Sequence, residues 1–193
     1  MVERVFDFSS NKREKGMKTL KALGFSITAL AASLGANAVV AEELDFSPGF
    51  YVIATAGETE IDYGSGAIFS GNGFGIGLGY DINRYLAVEA QYMNFFDMTI
   101  GTLNYKANGM TARGLLRFPA GSWSPFIGIA YTTANESLTL NGTTYSAAGS
   151  DVGGTAGFEV ALTEAISFRL NVDAYSGTGV DQTVTQLGVV SRF

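Results

Sequence analysis

Histidine and cysteine are both absent from this sequence, and proline occurs only 3 times in 193 residues. Without cysteine there are no disulfides, no thiolate nucleophile and no Cys-ligated metal. Without histidine the commonest general base, the commonest metal ligand and the usual partner of a nucleophilic serine are gone, so most hydrolase and transferase sites cannot be built. A Ser-x-x-Lys match at Ser9 and Lys12 lies in the leader and carries no catalytic weight, and no catalytic residue, metal or cofactor is expected. Positive charge is scarce as well. Beyond residue 41 there are 15 Asp and Glu against 6 Lys and Arg, a net charge of −9, which is no footprint for nucleic acid.

Long apolar runs are missing everywhere except near the start. Residues 17–41 combine a basic beginning (Met17, Lys18, Lys21), an apolar stretch over residues 22–35 and small-residue cleavage sites at Ala36-Asn-Ala38 or Val39-Val-Ala41. That is the pattern of a cleavable helical signal peptide, with the exported chain beginning at Val39 or Glu42. A permanent helical anchor is the alternative, diluted here by Ser, Thr, Gly and Asn. Residues 1–16 are polar, precede a natural start at Met17 and read as an upstream-start extension. The remaining domain, residues 42–193, has no run long enough for a membrane helix, so it can enter a bilayer only as a closed barrel.

Glycine is abundant, with 25 residues, and its placement organises the chain. In residues 73–83, Phe74, Ile76, Leu78, Tyr80 and Ile82 fall on one parity and Gly73, Gly75, Gly77, Gly79 and Asp81 on the other, the period of a strand with one large apolar face and one nearly bare face. Seven more segments alternate similarly, among them residues 85–96 (Glu89 and Gln91 opposite Val88 and Tyr92) and 166–175 (Arg169 and Asp173 opposite Phe168, Leu170 and Val172). The first, residues 49–57, has an ambiguous register because Tyr51, Val52 and Ile53 are consecutive. Connections alternate long and short: residues 58–72, 97–104 and 134–151 are expected as long loops, 81–84, 119–124 and 163–165 as short turns, and 176–181 as intermediate. The Asn141-Gly-Thr143 match to a glycosylation sequon reads better as a turn. An even strand count with short turns at the end that holds both termini is the plan of an outer-membrane barrel.

Charge decides which face is outside. Of the six cations beyond the leader, Arg113, Arg117, Arg169 and Arg192 share a parity with the glycines and with Glu89, Glu159 and Asp173. Four arginines on a lipid face would cost on the order of 10 kcal/mol, at ~2–4 kcal/mol each near the midplane, comparable with a protein's whole stability. An eight-stranded barrel is also too narrow to take the apolar rows inside. The apolar face is therefore expected outward, with Phe74, Ile76, Leu78, Tyr80, Phe168, Leu170 and Val172 facing lipid. The seven charged residues are expected to pair in the lumen, because unpaired buried charge is expensive. Aromatic residues Tyr80, Tyr85, Phe118, Trp123, Phe126 and Phe193 are expected as a girdle at the short-turn end.

On these patterns, with Gly49-Phe-Tyr-Val52, Ser124-Pro-Phe-Ile-Gly128, Gly157-Phe-Glu-Val-Ala-Leu-Thr163 and Leu187-Gly-Val-Val-Ser-Arg-Phe193, the chain resembles the small OmpA/opacity-type outer-membrane barrels, the eight-stranded porin-like family. The resemblance implies an all-β, eight-stranded antiparallel up-and-down transmembrane barrel in the outer membrane of a Gram-negative bacterium, with a structural or adhesion-like role and outer-membrane lipids as its surroundings. It implies that Phe193, with Leu187 and Val189, is the signal read by the barrel-assembly machinery, although the usual aromatic two before the end is Ser191 here. It further implies a monomer that presents its long loops to an extracellular ligand. The competing readings are a narrow pore or small-solute conduit and a lipid-modifying enzyme.

Overall fold

The structure, a computed structural model, describes residues 44–62, 68–176 and 181–193; the expected upstream extension and signal peptide lie outside them. Eight strands follow one another: β1 (Gly49–Asp62), β2 (Ile68–Asn83), β3 (Leu86–Ile100), β4 (Leu103–Arg117), β5 (Trp123–Leu140), β6 (Thr143–Ala161), β7 (Ile166–Ser176) and β8 (Asp181–Arg192). Each pairs antiparallel with the next, and β8 returns to β1, so the sheet closes.

The closure is staggered. A path across partners from Gly49 through Asp81, Ala87, Leu115, Gly128, Thr155, Asp173 and Val184 returns to β1 at Thr59, ten residues from where it began. Such a stagger tilts the strands by roughly 40° to the barrel axis. Every residue on this path belongs to the inward parity, so the row that the sequence leaves small or polar is the row that lines the lumen.

The opposite parity is apolar and exposed. Phe74, Ile76, Leu78 and Ile82 are all exposed on β2, as are Ile127, Ile129 and Tyr131 on β5 and Leu187 and Val189 on β8. From Ile82 to Phe74 the tilted strand climbs roughly 20 Å along the barrel axis, close to the ~25 Å apolar band of an outer-membrane barrel. Trp123, Phe118, Tyr85 and Phe193 stand exposed at the short-turn end of the band, and Tyr92, Tyr131 and Phe74 at the other. Phe126 does not join the girdle. It lies on the inward parity of β5 and is buried with Ala87 and Leu115.

The expected long loops are mostly strand. β3 and β4 run to a two-residue turn at Gly101 and Thr102, not a loop over residues 97–104, and β5 and β6 run to Asn141 and Gly142, not a loop over 134–151. Asn141 and Gly142 both have positive φ, 50° and 81°, the Asn-Gly turn that matches the twist of paired strands. At the β5–β6 tip alternation could not reveal the extension because both faces are wet there: residues 140–150 are all exposed. At the other end, β2 continues through Asp81 to Asn83, so the turn is Arg84 and Tyr85, one step beyond the expected connection. Asn83 Oδ1 caps it by accepting from the backbone N–H groups of Tyr85 (2.8 Å) and Leu86 (3.0 Å).

Candidate functional site: a charge ladder in a closed lumen

Burying an arginine demands an acceptor for each of its donors and an opposite charge nearby. Inside this barrel four arginines and four carboxylates meet most of that demand as one unbranched chain of alternating sign, Arg117, Asp81, Arg192, Glu159, Arg169, Glu89, Arg113, Asp173; among the described residues, Arg117 Nε and Arg192 Nη2 have no acceptor. Asp81 bridges Arg117 and Arg192, the latter at 3.1 Å; Arg192 reaches Glu159 at 2.6 Å, and Glu159 holds Arg169 at 2.8 Å. Arg169 then pairs with Glu89, Glu89 approaches Arg113 at 3.9 Å, and Arg113 grips Asp173 through both Nε and Nη2. All eight side chains are 8% exposed or less. The ladder is electrically neutral, which is what makes so much charge tolerable in one enclosed space.

Neutral polar groups lock it. Tyr51 Oη donates to Glu89 (2.6 Å) and accepts from Arg117 Nη2 (3.1 Å), spanning two rungs from the opposite wall. Ser167 Oγ donates to Glu159 at 2.5 Å. Above the arginines, Arg113 Nη1 donates to Gln91 Oε1 (2.6 Å), while the amides of Gln91 (2.7 Å) and Gln186 (2.9 Å) both donate to Thr55 Oγ1. The lumen is thus crossed from wall to wall by hydrogen bonds.

Apolar residues seal both ends. Toward the long hairpins, Ile61, Met93, Phe95, Ala107, Ala130, Tyr175 and Val184 form one buried cluster. At the short-turn end the segment before β1 folds under the opening, where Leu44 and Phe46 are buried with Ala161. The Phe46 ring lies 4.6 Å from the guanidinium carbon of Arg192 and 4.9 Å from that of Arg117, within cation–π range. Outside this seal, Asp45 accepts hydrogen bonds from Ser47 Oγ (2.6 Å) and Ser47 N (2.8 Å), which hold its carboxyl below the usual carboxylate range.

The structure brings together all seven residues expected in the lumenal network and adds one acid, Asp81, and the neutral partners Tyr51, Ser167, Gln91 and Gln186. The sequence places Asp81 at a turn although it continues the glycine parity of β2; the seven expected residues carry four positive and three negative charges, and that imbalance is the signal that an acid is lacking. Tyr51 was hidden by the run Tyr51-Val52-Ile53, which has no alternation. The two remaining cations stay outside: Lys106 pairs with Asp97 at 3.0 Å on the β3–β4 hairpin, and Arg84 lies over the Tyr85 ring at the short turn.

Among the outward residues, Phe74, Ile76, Leu78 and Phe168 are exposed and Tyr80 and Leu170 half-buried. Val172 departs from expectation at only 8% exposed. It keeps the outward parity, but the register sets it diagonal to Phe158, itself buried, a spacing within reach of an aromatic ring. Ile76, midway up the band at 62% exposed, provides a measurement of depth. Ile76→Arg is expected to destabilise the barrel by about 2–4 kcal/mol in urea titrations in phospholipid vesicles, whereas arginine at exposed Asn72, beyond the band, should cost under about 1 kcal/mol.

Comparisons with known proteins agree with this geometry. The chain is similar in structure to Neisserial surface protein A (20% identity, TM-score 0.67, covering 75% of this chain and 97% of that one). It is similar also to Ail, the attachment invasion locus protein of Yersinia pestis (14% identity, TM-score 0.59, 75% and 99%), and to the outer membrane protein OprG of Pseudomonas aeruginosa (15%, 0.54, 81% and 99%). At these identities the likeness concerns the fold. No curated protein matches the sequence significantly. The family model for the outer membrane protein beta-barrel domain matches residues 26–193, and the chain belongs to that family.

Proposed function

We propose that this outer-membrane barrel is a non-enzymatic surface-interaction protein with a closed lumen, exported by its signal peptide to the outer membrane of a Gram-negative bacterium. The observation that carries the proposal is the occupancy of the lumen. Four arginines, four carboxylates and their amide and hydroxyl partners fill its cross-section between two apolar seals. Eight strands leave no aqueous channel once side chains occupy the centre, and an inward row of charge and glycine offers nothing to an apolar solute. The extended hairpins, by contrast, carry the exposed surface.

Of the similar proteins, Ail is the attachment invasion locus protein, and one of its structures is a complex with the heparin analogue sucrose octasulfate. A sulfated ligand does not suit the hairpins of this chain, where Glu58, Glu60, Asp62, Asp97, Glu136, Asp151 and Asp181 face a single cation, Lys106. Leu187 and Val189, exposed on the outward face of β8, with Phe193 just beyond its end, form the surface proposed for the barrel-assembly machinery. The decisive experiment is conductance of the purified protein in planar bilayers. A silent bilayer is expected; steady openings would replace the closed-lumen reading with the pore reading.

A further inference from the structure

Above the apolar band the barrel wall divides. Pairing between β2 and β3 begins only at Phe74 and Asn94, and pairing between β6 and β7 only at Gly153 and Tyr175. Among the described residues, strands β3 to β6 therefore continue upward as a separate sheet with two edges that have no strand partner, one on β3 and one on β6. Such edges are templates for another strand, and proteins normally blunt them with charge, proline, bulges or shortness.

The two edges differ. The β3 edge is short, carries a register shift between Asn94 and Phe96, and bears Asp97 in its ion pair with Lys106. Along β6, residues 143–152 (Thr-Thr-Tyr-Ser-Ala-Ala-Gly-Ser-Asp-Val) contain no proline and no cation, and no charge before Asp151. They pair with β5 without a shift and, among the described residues, have no partner on the β7 side. Residues 143–150 are exposed throughout. This long edge, free of bulges and proline and with a single charge at Asp151, is the feature that a monomeric barrel would be expected to suppress.

Its two faces are chemically distinct. On the parity that faces the mouth, the register aligns Tyr105, Leu138 and Tyr145 across three strands, with Tyr145 63% exposed, and Tyr105 packs onto the apolar cluster that closes the lumen. The other parity of β6 presents Thr144, Ser146, Ala148 and Ser150. On the extended part of this sheet the charge is three acids, Asp97, Glu136 and Asp151, to one base, Lys106, which is already paired with Asp97. We infer that the β6 edge, residues 143–152, is a docking site for an extended peptide segment that adds as a further strand. That segment carries apolar side chains at alternate positions toward the mouth, hydroxyl or small side chains on the other face, and lysine or arginine at its ends. Main-chain bonds supply affinity, and the alternating rows and acidic surround supply selectivity. A second copy of this chain is the poorer occupant, because side-by-side barrels in one membrane present β6 edges of the same direction and place Asp151 beside Asp151, a like-charge contact that is destabilising.

The inference rests on the surface-interaction reading and is tested separately from it. The probe is a blocked peptide of alternating valine and threonine with a lysine at each end, matched in length to the edge and added to the folded protein in detergent. Amide hydrogen exchange should slow within residues 143–152, and a peptide N-methylated along its backbone should bind at least about tenfold more weakly, since it has lost its strand-pairing donors. Ala148→Lys, which places a guarding charge on the exposed outward row, should weaken binding by about tenfold while heat-dependent gel mobility stays that of the folded barrel. Protection confined to the β3 edge, equal binding of the N-methylated peptide, or an edge-dependent dimer in sedimentation each overturns the inference. Conductance reports the lumen independently, so failed pairing with a silent bilayer removes this edge and leaves the closed-lumen reading standing.

Discussion

Arg169→Met should destabilise the folded barrel by about 3–5 kcal/mol, read as a lower urea midpoint in phospholipid vesicles and as loss of the compact, heat-modifiable band on gels. Arg169 sits mid-ladder between Glu159 and Glu89, and both carboxylates lie in space that water does not reach. Methionine fills much of the volume but leaves two carboxylates sharing a deficit of positive charge. Against a typical total stability of about 5–15 kcal/mol, that is a large fraction. The double variant Arg169→Met with Glu89→Gln should recover most of the loss, because what remains is two neutral pieces: Arg117, Asp81, Arg192 and Glu159 in one, Arg113 and Asp173 in the other. A single variant that costs under about 1 kcal/mol, the value of a solvated pair, would mean that the ladder is hydrated and does not hold the barrel.

Gly79→Leu is expected to be comparably damaging through shape alone, at about 3 kcal/mol. A Cβ at Gly79 would overlap the ring of Tyr51, which crosses the lumen toward Glu89 and Arg117. The new side chain must displace that ring, and both hydrogen bonds go with it. Gly114→Ala is the control: it lies on the outward parity of β4, where a Cβ would meet only Ile129 at 3.7 Å, an ordinary contact, and it should change stability by less than about 0.5 kcal/mol. Equal effects at the two positions would show that strand propensity, not lumenal space, governs the glycines.

These contrasts indicate how far the fold is legible in the amino-acid order. The decisive pattern is the coincidence of small residues with charge. On β2 the glycines share a parity with Asp81, and on β7 Arg169, Asn171 and Asp173 share one, so a single assignment of inside and outside follows for the barrel. Within the apolar band each strand has two different environments, which is why alternation reads well there. Beyond the band both environments are water, and the strands past Ala134 and before Asp151 lose the period that would identify them. Asp81 was obscured by its closeness to a turn, and Tyr51 by a run of three large residues. In both cases the information lay in a neighbouring strand: β1 takes its register from β2, through Tyr51 opposite Gly79, and no single segment contains it.

The ladder also bears on the kinetics of assembly. Only two of its bridges, Glu159 with Arg169 and Glu89 with Arg113, join neighbouring strands; the other five cross the lumen between strands that do not touch, such as β2 with β8 and β4 with β7. A flat, partly formed sheet readily satisfies the two local pairs, whereas the transverse pairs need the sheet to curl, and Asp81 with Arg192 needs β8 to meet β1. Much of the favourable energy therefore arrives late, as the barrel closes. Closure is cooperative partly for an electrostatic reason, and interactions that form late in folding are those that slow unfolding of the finished barrel.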